Sequence, residues 1–162
     1  MTTPTSTFQS RQRQILFGLS IVLLSLVLLA AMVSYYFTWE NDQSVLGDFA
    51  DRTIQPNNIA SKFGTTISHF LFYQFIGLGS FVLVFMGLLT GIGLFVGSPW
   101  KRPLWIWSWT IASSLWVSLL MSFIIPQHPM LSGMVGVEMS RLTIDYIGDI
   151  GPTRYISPNN TA

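Results

Sequence analysis

The sequence predicts an all-α integral membrane protein with three transmembrane helices and two outside amphipathic helices. Three observations carry that reading. Only 9% of the 162 residues are charged, where a soluble domain carries about 25%. The mean hydropathy is +0.51, which excludes a disordered chain and argues against a soluble one. Three long runs contain no Asp, Glu, Lys or Arg.

The elements follow in chain order. Residues 1–14, MTTPTSTFQSRQRQ, are polar and rich in Thr and Ser, so a cytoplasmic disordered tail is expected there. Ile15 to Phe37 then gives 23 residues without a charge. A hydrocarbon core of about 30 Å needs about 20 helical residues, so this run can span it. Arg11 and Arg13 precede it as in a signal peptide, but the run exceeds a signal core of about 7–15 residues.

Asn57 or Asn58 can cap the next helix. Ile59, Phe63, Ile67 and Phe70 recur at spacings of four, four and three. That is one apolar helical face, expected to run straight into span two. The second span lies within Ile67–Val96, a charge-free run of 30 residues. It exceeds the need, so a tilted or projecting helix is expected. The third span runs from Leu104 to Ile125 and stops at Pro126. Trp39, Trp100, Trp105 and Trp107 flank the spans as an aromatic belt would. No fourth span is expected, because the next charge-free stretch, Pro129 to Val137, is short and glycine-rich. Val135, Met139, Leu142 and Tyr146 form an apolar stripe, with Glu138, Arg141 and Asp145 opposite. Such a helix should lie in the interface or against the bundle. Residues 152–162 are expected to form a disordered tail.

Positive charge sets the expected orientation. Arg11, Arg13, Lys101 and Arg102 fall on one side of a three-span chain, close to span ends. Arg52, Lys62, Arg141 and Arg154 fall on the other side, mostly farther from the spans. The positive-inside rule then puts the N-terminus in the cytoplasm and residues 38–66 and 126–162 outside.

Those two outside regions resemble each other. FGTTISHFLFYQFIGLG, from Phe63 to Gly79, pairs with VGVEMSRLTIDYIGDIG, from Val135 to Gly151. Both place Ser four residues after Gly (Gly64 and Ser68; Gly136 and Ser140), and both close on Ile-Gly. A repeat of helix plus span would place a fourth span just after Gly151, so a truncated or degenerate second copy is expected.

Chemistry-bearing motifs are scarce. Zero cysteines exclude disulfides, thiolate metal sites and a cysteine nucleophile. His69 and His128 leave little for a metal centre, and a net charge of +1 gives no basic footprint for nucleic acid. No Gly-x-x-x-x-Gly-Lys-Ser/Thr, His-Glu-x-x-His or Gly-x-Ser-x-Gly occurs. His69 and Gln74 are the polar groups nearest a span interior, and they read as an interfacial residue and a helix-bonding amide, not a proton relay. The acidic pairs Asp48/Asp51 and Asp145/Asp149 have no pocket or nucleophile beside them and read as solvated faces. No catalytic, cofactor-binding or metal-binding residue is expected.

Small residues carry more information. Gly87 and Gly91 form a Gly-xxx-Gly with Ser80 one heptad back, and Gly93 and Gly97 form a second. Ser114, Ser118 and Ser122 recur every four residues in span three. Such stripes let helix backbones approach closely, either within one chain or between subunits.

Three blocks, SYYFTWENDQSVLGDF (34–49), NNIASKFGTTISHFLFYQFIGLGSF (57–81) and SGMVGVEMSRLTIDYIGDIG (132–151), resemble the N-terminal membrane region of FtsK/SpoIIIE DNA translocases, Bacteroidota-type variants among them. The resemblance covers residues 14–151 and rests on the order and spacing of the blocks. It implies a four-span region that anchors a hexameric, DNA-pumping ATPase at the bacterial division site. Relative to that pattern the chain stops before the fourth span and the motor. The resemblance therefore implies a membrane anchor and assembly module of a cell-division DNA translocase, non-enzymatic by itself, in the inner membrane at the septum. Its implied partners are the lipid bilayer, further copies of itself and division-machinery proteins, with no direct nucleic-acid binding and no cofactor. The alternative is a free-standing small membrane protein that regulates or scaffolds a partner.

Overall fold

The computed structural model describes residues 4–42, 59–98 and 101–148. Among the described residues there are five α-helices: α1 (Pro4–Asp42), α2 (Ser61–His69), α3 (Gly79–Val96), α4 (Pro103–Ile124) and α5 (Pro129–Ile147). A π-helical turn, Phe70–Phe75, continues α2. No strand occurs among the described residues. Among the described residues three helices are long and apolar enough to cross a membrane: Ser10–Thr38 within α1, then α3 and α4.

Spans one and three sit where their uncharged runs place them. Proline at the first turn of α4 fits a helix start, since its missing N–H would be unbonded there anyway. Residues 4–14, expected as a disordered tail, are instead the first turns of α1. Gln and Arg are good helix formers, and a helix already nucleated by span one extends through them cheaply.

The middle of the chain departs further from expectation. The expected single helix through Ile67–Val96 is broken at Ile76–Leu78, between the π-helical turn and α3. Helix α2 does not continue span two in a straight line. Ile59 donates its backbone N–H to Ser34 Oγ (3.0 Å), and Tyr35 Oη lies 2.9 Å from His69 Nδ1. Both ends of α2 are thus tied to one turn of α1, so α2 crosses α1. The turn at Ile59 also explains why the helix opens at Ser61 and not directly after the expected caps. Asn57 and Asn58 lie outside the described residues.

The expected Gly93–Gly97 packing motif is a helix stop. Gly97 is left-handed (φ 83°) and takes up the C-terminal carbonyls of α3, with Gly97 and Ser98 N–H groups on Gly93 C=O at 3.1 and 3.0 Å. A Cβ at Gly97 would meet nothing among the described residues.

The bundle interior is made of small hydroxyl residues. Among the described residues the buried set holds ten Ser and Thr and seven Gly against Ala31, Met32, Tyr35, Phe72, Ile76 and Met130. Large aliphatic and aromatic side chains point outward along all three spans. Lipid tails are as apolar as leucine, so association relies on close backbone approach and hydroxyl bonds. The same logic applies to the two amphipathic helices. Phe63 and Phe70 on the apolar stripe of α2 are exposed, while Gly64, Thr65 and Ser68 are buried. In α5, Leu142 and Tyr146 are exposed, and Ser132, Gly136 and Ser140 seat the helix on α4.

Candidate functional site

Two seams of small residues hold the spans. In the first, α1 meets α3. A Cβ on Gly91 would lie 2.9 Å from Val22 N, and one on Gly87 3.3 Å from Ser25 Oγ. Gly18 completes this seam from the α1 side, where a Cβ would come 2.5 Å from Phe95 N. In the second seam, α4 meets α3 and α5. The Ser114 carbonyl occupies the place a Cβ on Gly79 would need. Ser118 Oγ donates to Ser132 C=O, and Gly136 packs over the same serine. Ser122 and Ser140 share a hydroxyl hydrogen bond of 2.8 Å. Gly87 and Gly91 thus lie in one seam, and Ser114, Ser118 and Ser122 in the other. All of these contacts are within one chain.

Between the seams lies a joint that periodicity alone does not reveal. Gly77 (φ 57°) and Gly133 (φ 67°) face each other in the left-handed region. A Cβ on Gly77 would collide with the Leu131 carbonyl, and one on Gly133 with the Phe75 carbonyl. Only glycine fits on both counts. Leu78 donates its N–H to Leu131 C=O (2.8 Å), which ties the break before α3 to the kink in α5. The π-helical turn leaves Leu71 C=O free of its usual partner. It accepts Ile76 N–H, and also Gly77 N–H (3.1 Å) and Ser80 Oγ–H (2.8 Å). The available sequence signal was the glycine pair Gly77-x-Gly79 inside a run too long for one span.

An aromatic cluster sits beside the joint. Tyr35 stacks on Phe72 at 6.0 Å, and His69 lies parallel to Tyr73 at 5.3 Å. Burial pushes the His69 imidazole below its usual pKa. Its neutral ring can accept from Tyr35 Oη, or donate to it in the other tautomer. Met32, Tyr35, Phe72 and Met130 form the packed core under this cluster.

Two adjoining hollows open on the surface here. One, of about 340 Å³, lies between Tyr36, Tyr73 and Gln127–Leu131. The other, of about 290 Å³, runs along α5 past Met134, Val137, Glu138 and Arg141. Tyr73 and Pro129 border both. Arg141 and Glu138 form an exposed ion pair of 2.8 Å. Among the described residues no three His, Asp or Glu side chains gather as metal ligands. Gln74 and Asp145 are exposed. Asp48, Asp51 and Asp149 lie outside the described residues. The arrangement can pack helices and accept a ligand along α5, and it places no nucleophile beside a base.

No curated protein and no solved structure matches the chain. A family model described as the 4TM region of DNA translocase FtsK/SpoIIIE matches residues 10–158, a stretch that takes in both seams, the joint and the groove. This chain is a multi-pass membrane protein that belongs to that family.

Proposed function

We propose that the chain is the membrane anchor and assembly module of a cell-division DNA translocase. The observation that carries this reading is the family match across residues 10–158. The architecture supports it: three helices apolar enough to span are held together by small-residue seams and a glycine joint. The 162 residues hold no phosphate-cradling Gly-x-x-x-x-Gly-Lys-Ser/Thr, so ATP hydrolysis and DNA translocation are assigned to the motor of the family's full-length members. In this reading the N-terminus faces the cytoplasm, because Arg11, Arg13, Lys101 and Arg102 flank the span ends on one side. The module sits in the inner membrane at the septum, with division-machinery proteins and further copies of itself as partners.

Localisation tests this directly. A fluorescent fusion of the chain should form a band at midcell in dividing bacteria. Uniform envelope fluorescence in dividing cells would overturn the proposal. Orientation is read separately by single cysteines in the cysteine-free chain. A cysteine at Ser98 should resist an impermeant maleimide in intact spheroplasts, and one at Ser44 should react. The reverse pattern would invert the topology.

A further inference from the structure

The groove along α5 has a composition that helix packing does not require. Its two lobes, about 340 and 290 Å³, join across Tyr73 and Pro129. The groove opens where two spans finish: Tyr36 lies just before the end of the apolar stretch at Thr38, and Gln127 just after the end of α4 at Ile124. That is head-group depth for a helix that crosses a hydrocarbon core of about 30 Å. Met134 and Val137 give one lobe an apolar lining. At its rim Glu138 and Arg141 stand side by side at 2.8 Å, each half-exposed at 56%. An exposed pair of this kind contributes little to folding, yet it presents a minus and a plus charge next to each other.

We infer that this groove binds a zwitterionic aminophospholipid, with the phosphate on Arg141, the ammonium between Glu138 and the Tyr73 ring, and an acyl chain along Met134 and Val137. The charges match one to one. Among the described residues Arg141 has only its NH1 in an ion pair, and its planar fork suits a phosphate oxygen pair. Glu138 accepts an ammonium and repels a second anion. The Tyr73 ring supplies a cation–π face. It is held in place from behind by His69, whose ring is parallel within 12° at 5.3 Å. An anionic lipid such as phosphatidylglycerol would use Arg141 and leave Glu138 opposed to its charge.

Native mass spectrometry of the full chain in mild detergent tests this. Phosphatidylethanolamine and phosphatidylglycerol with identical acyl chains are added separately. Wild type should bind phosphatidylethanolamine about two- to fivefold more tightly, the scale of one exposed cation–π contact. Glu138→Gln and Tyr73→Leu should each abolish the preference, and Arg141→Gln should weaken both lipids. Glu138 is exposed, so its variant should keep the circular dichroism of the wild type. Equal binding of the two lipids by wild type would overturn the inference. So would a preference for phosphatidylglycerol, a preference that survives Glu138→Gln, or a co-purified peptide that excludes lipid from the groove.

Discussion

Helices α2 and α5 carry the same Gly-xxx-Ser pattern, Gly64 with Ser68 and Gly136 with Ser140, and bury it in the same way. Their bonding differs. Helix α5 lies along α4, so Ser140 meets Ser122 and Gly136 meets Ser118. Helix α2 crosses α1, and Ser68 Oγ is buried with no hydrogen-bond partner among the described residues. A short small-residue motif therefore sets which face is buried. The partner helix decides the crossing and whether the hydroxyl is satisfied. α4 offers Ser118 and Ser122, four residues apart, on the side that faces α5, whereas α1 offers Ser34 and Tyr35 where α2 crosses.

The largest expected effect lies at the joint that links the two halves. Gly133→Val should destabilise the fold by about 2–5 kcal/mol, from the left-handed backbone together with overpacking. Gly148→Ala shares the positive φ (91°) but meets no neighbouring atom among the described residues, so it should cost only about 1–3 kcal/mol. Thermal unfolding in detergent measures both. Equal losses would show that the Gly77–Gly133 contact contributes nothing.

The seams come next. Gly91→Leu should cost about 1–2 kcal/mol, the scale of a membrane interhelical contact. Gly93→Ala, two positions on, points at open space apart from Ser98 O at 3.4 Å and should be neutral or slightly stabilising. Comparable destabilisation by the two would remove the α1–α3 seam as the reason.

Serine substitutions sharpen the α2–α5 comparison itself. Ser140→Ala strips Ser122 of its partner and should cost about 0.6–1.7 kcal/mol. Ser68→Ala deletes an unpaired buried hydroxyl and should be neutral or stabilising by about 1 kcal/mol. If Ser68→Ala destabilises as much as Ser140→Ala, the two helices are held alike and the contrast fails.

Acidification should give the smallest effect, and only on the α2 side. Burial lowers the His69 pKa below its usual 6.5, so the unfolded chain takes up the proton first. The stability of the neutral ring is then whole above about pH 6.5 and is lost as pH falls through the folded-state value. A His69→Phe variant should lack this acid-side decline. A decline of equal size in the variant would assign it to other groups.

Much of this architecture was legible in the residues. Uncharged runs bounded by Arg11, Arg13, Lys101, Arg102 and Pro126 mark spans one and three, because charge and backbone breaks are locally encoded. The break at Ile76–Leu78 was signalled only by Gly77-x-Gly79 in a run too long for one span, and its place was not legible. Hydropathy is continuous from Phe70 to Val96, and the break depends on Leu131 and Gly133, which are distant in sequence. The five small residues Gly87, Gly91, Ser114, Ser118 and Ser122 were visible by spacing, but Gly18, Gly79 and Ser132 on the opposite sides were not. Spacing marks one face of a helix and says nothing about which helix meets it. Spacing left open whether the apolar stripe of α5 faces the membrane interface or the bundle, and Leu142 and Tyr146 are exposed, as are Phe63 and Phe70. An apolar stripe faces the interior only when the surrounding solvent is water.

The hydroxyl-lined interior has a thermal consequence. Water-soluble folds draw the curvature of their stability with temperature from apolar surface that unfolding exposes to water, through a large heat-capacity change. Here the large apolar side chains already face outward, and the buried residues described are mostly Ser, Thr and Gly. Separating these helices within lipid would exchange one apolar contact for another and open only short hydroxyl bonds. The heat-capacity change for that separation should be close to zero, and the seams should show neither a temperature of maximum stability nor cold dissociation.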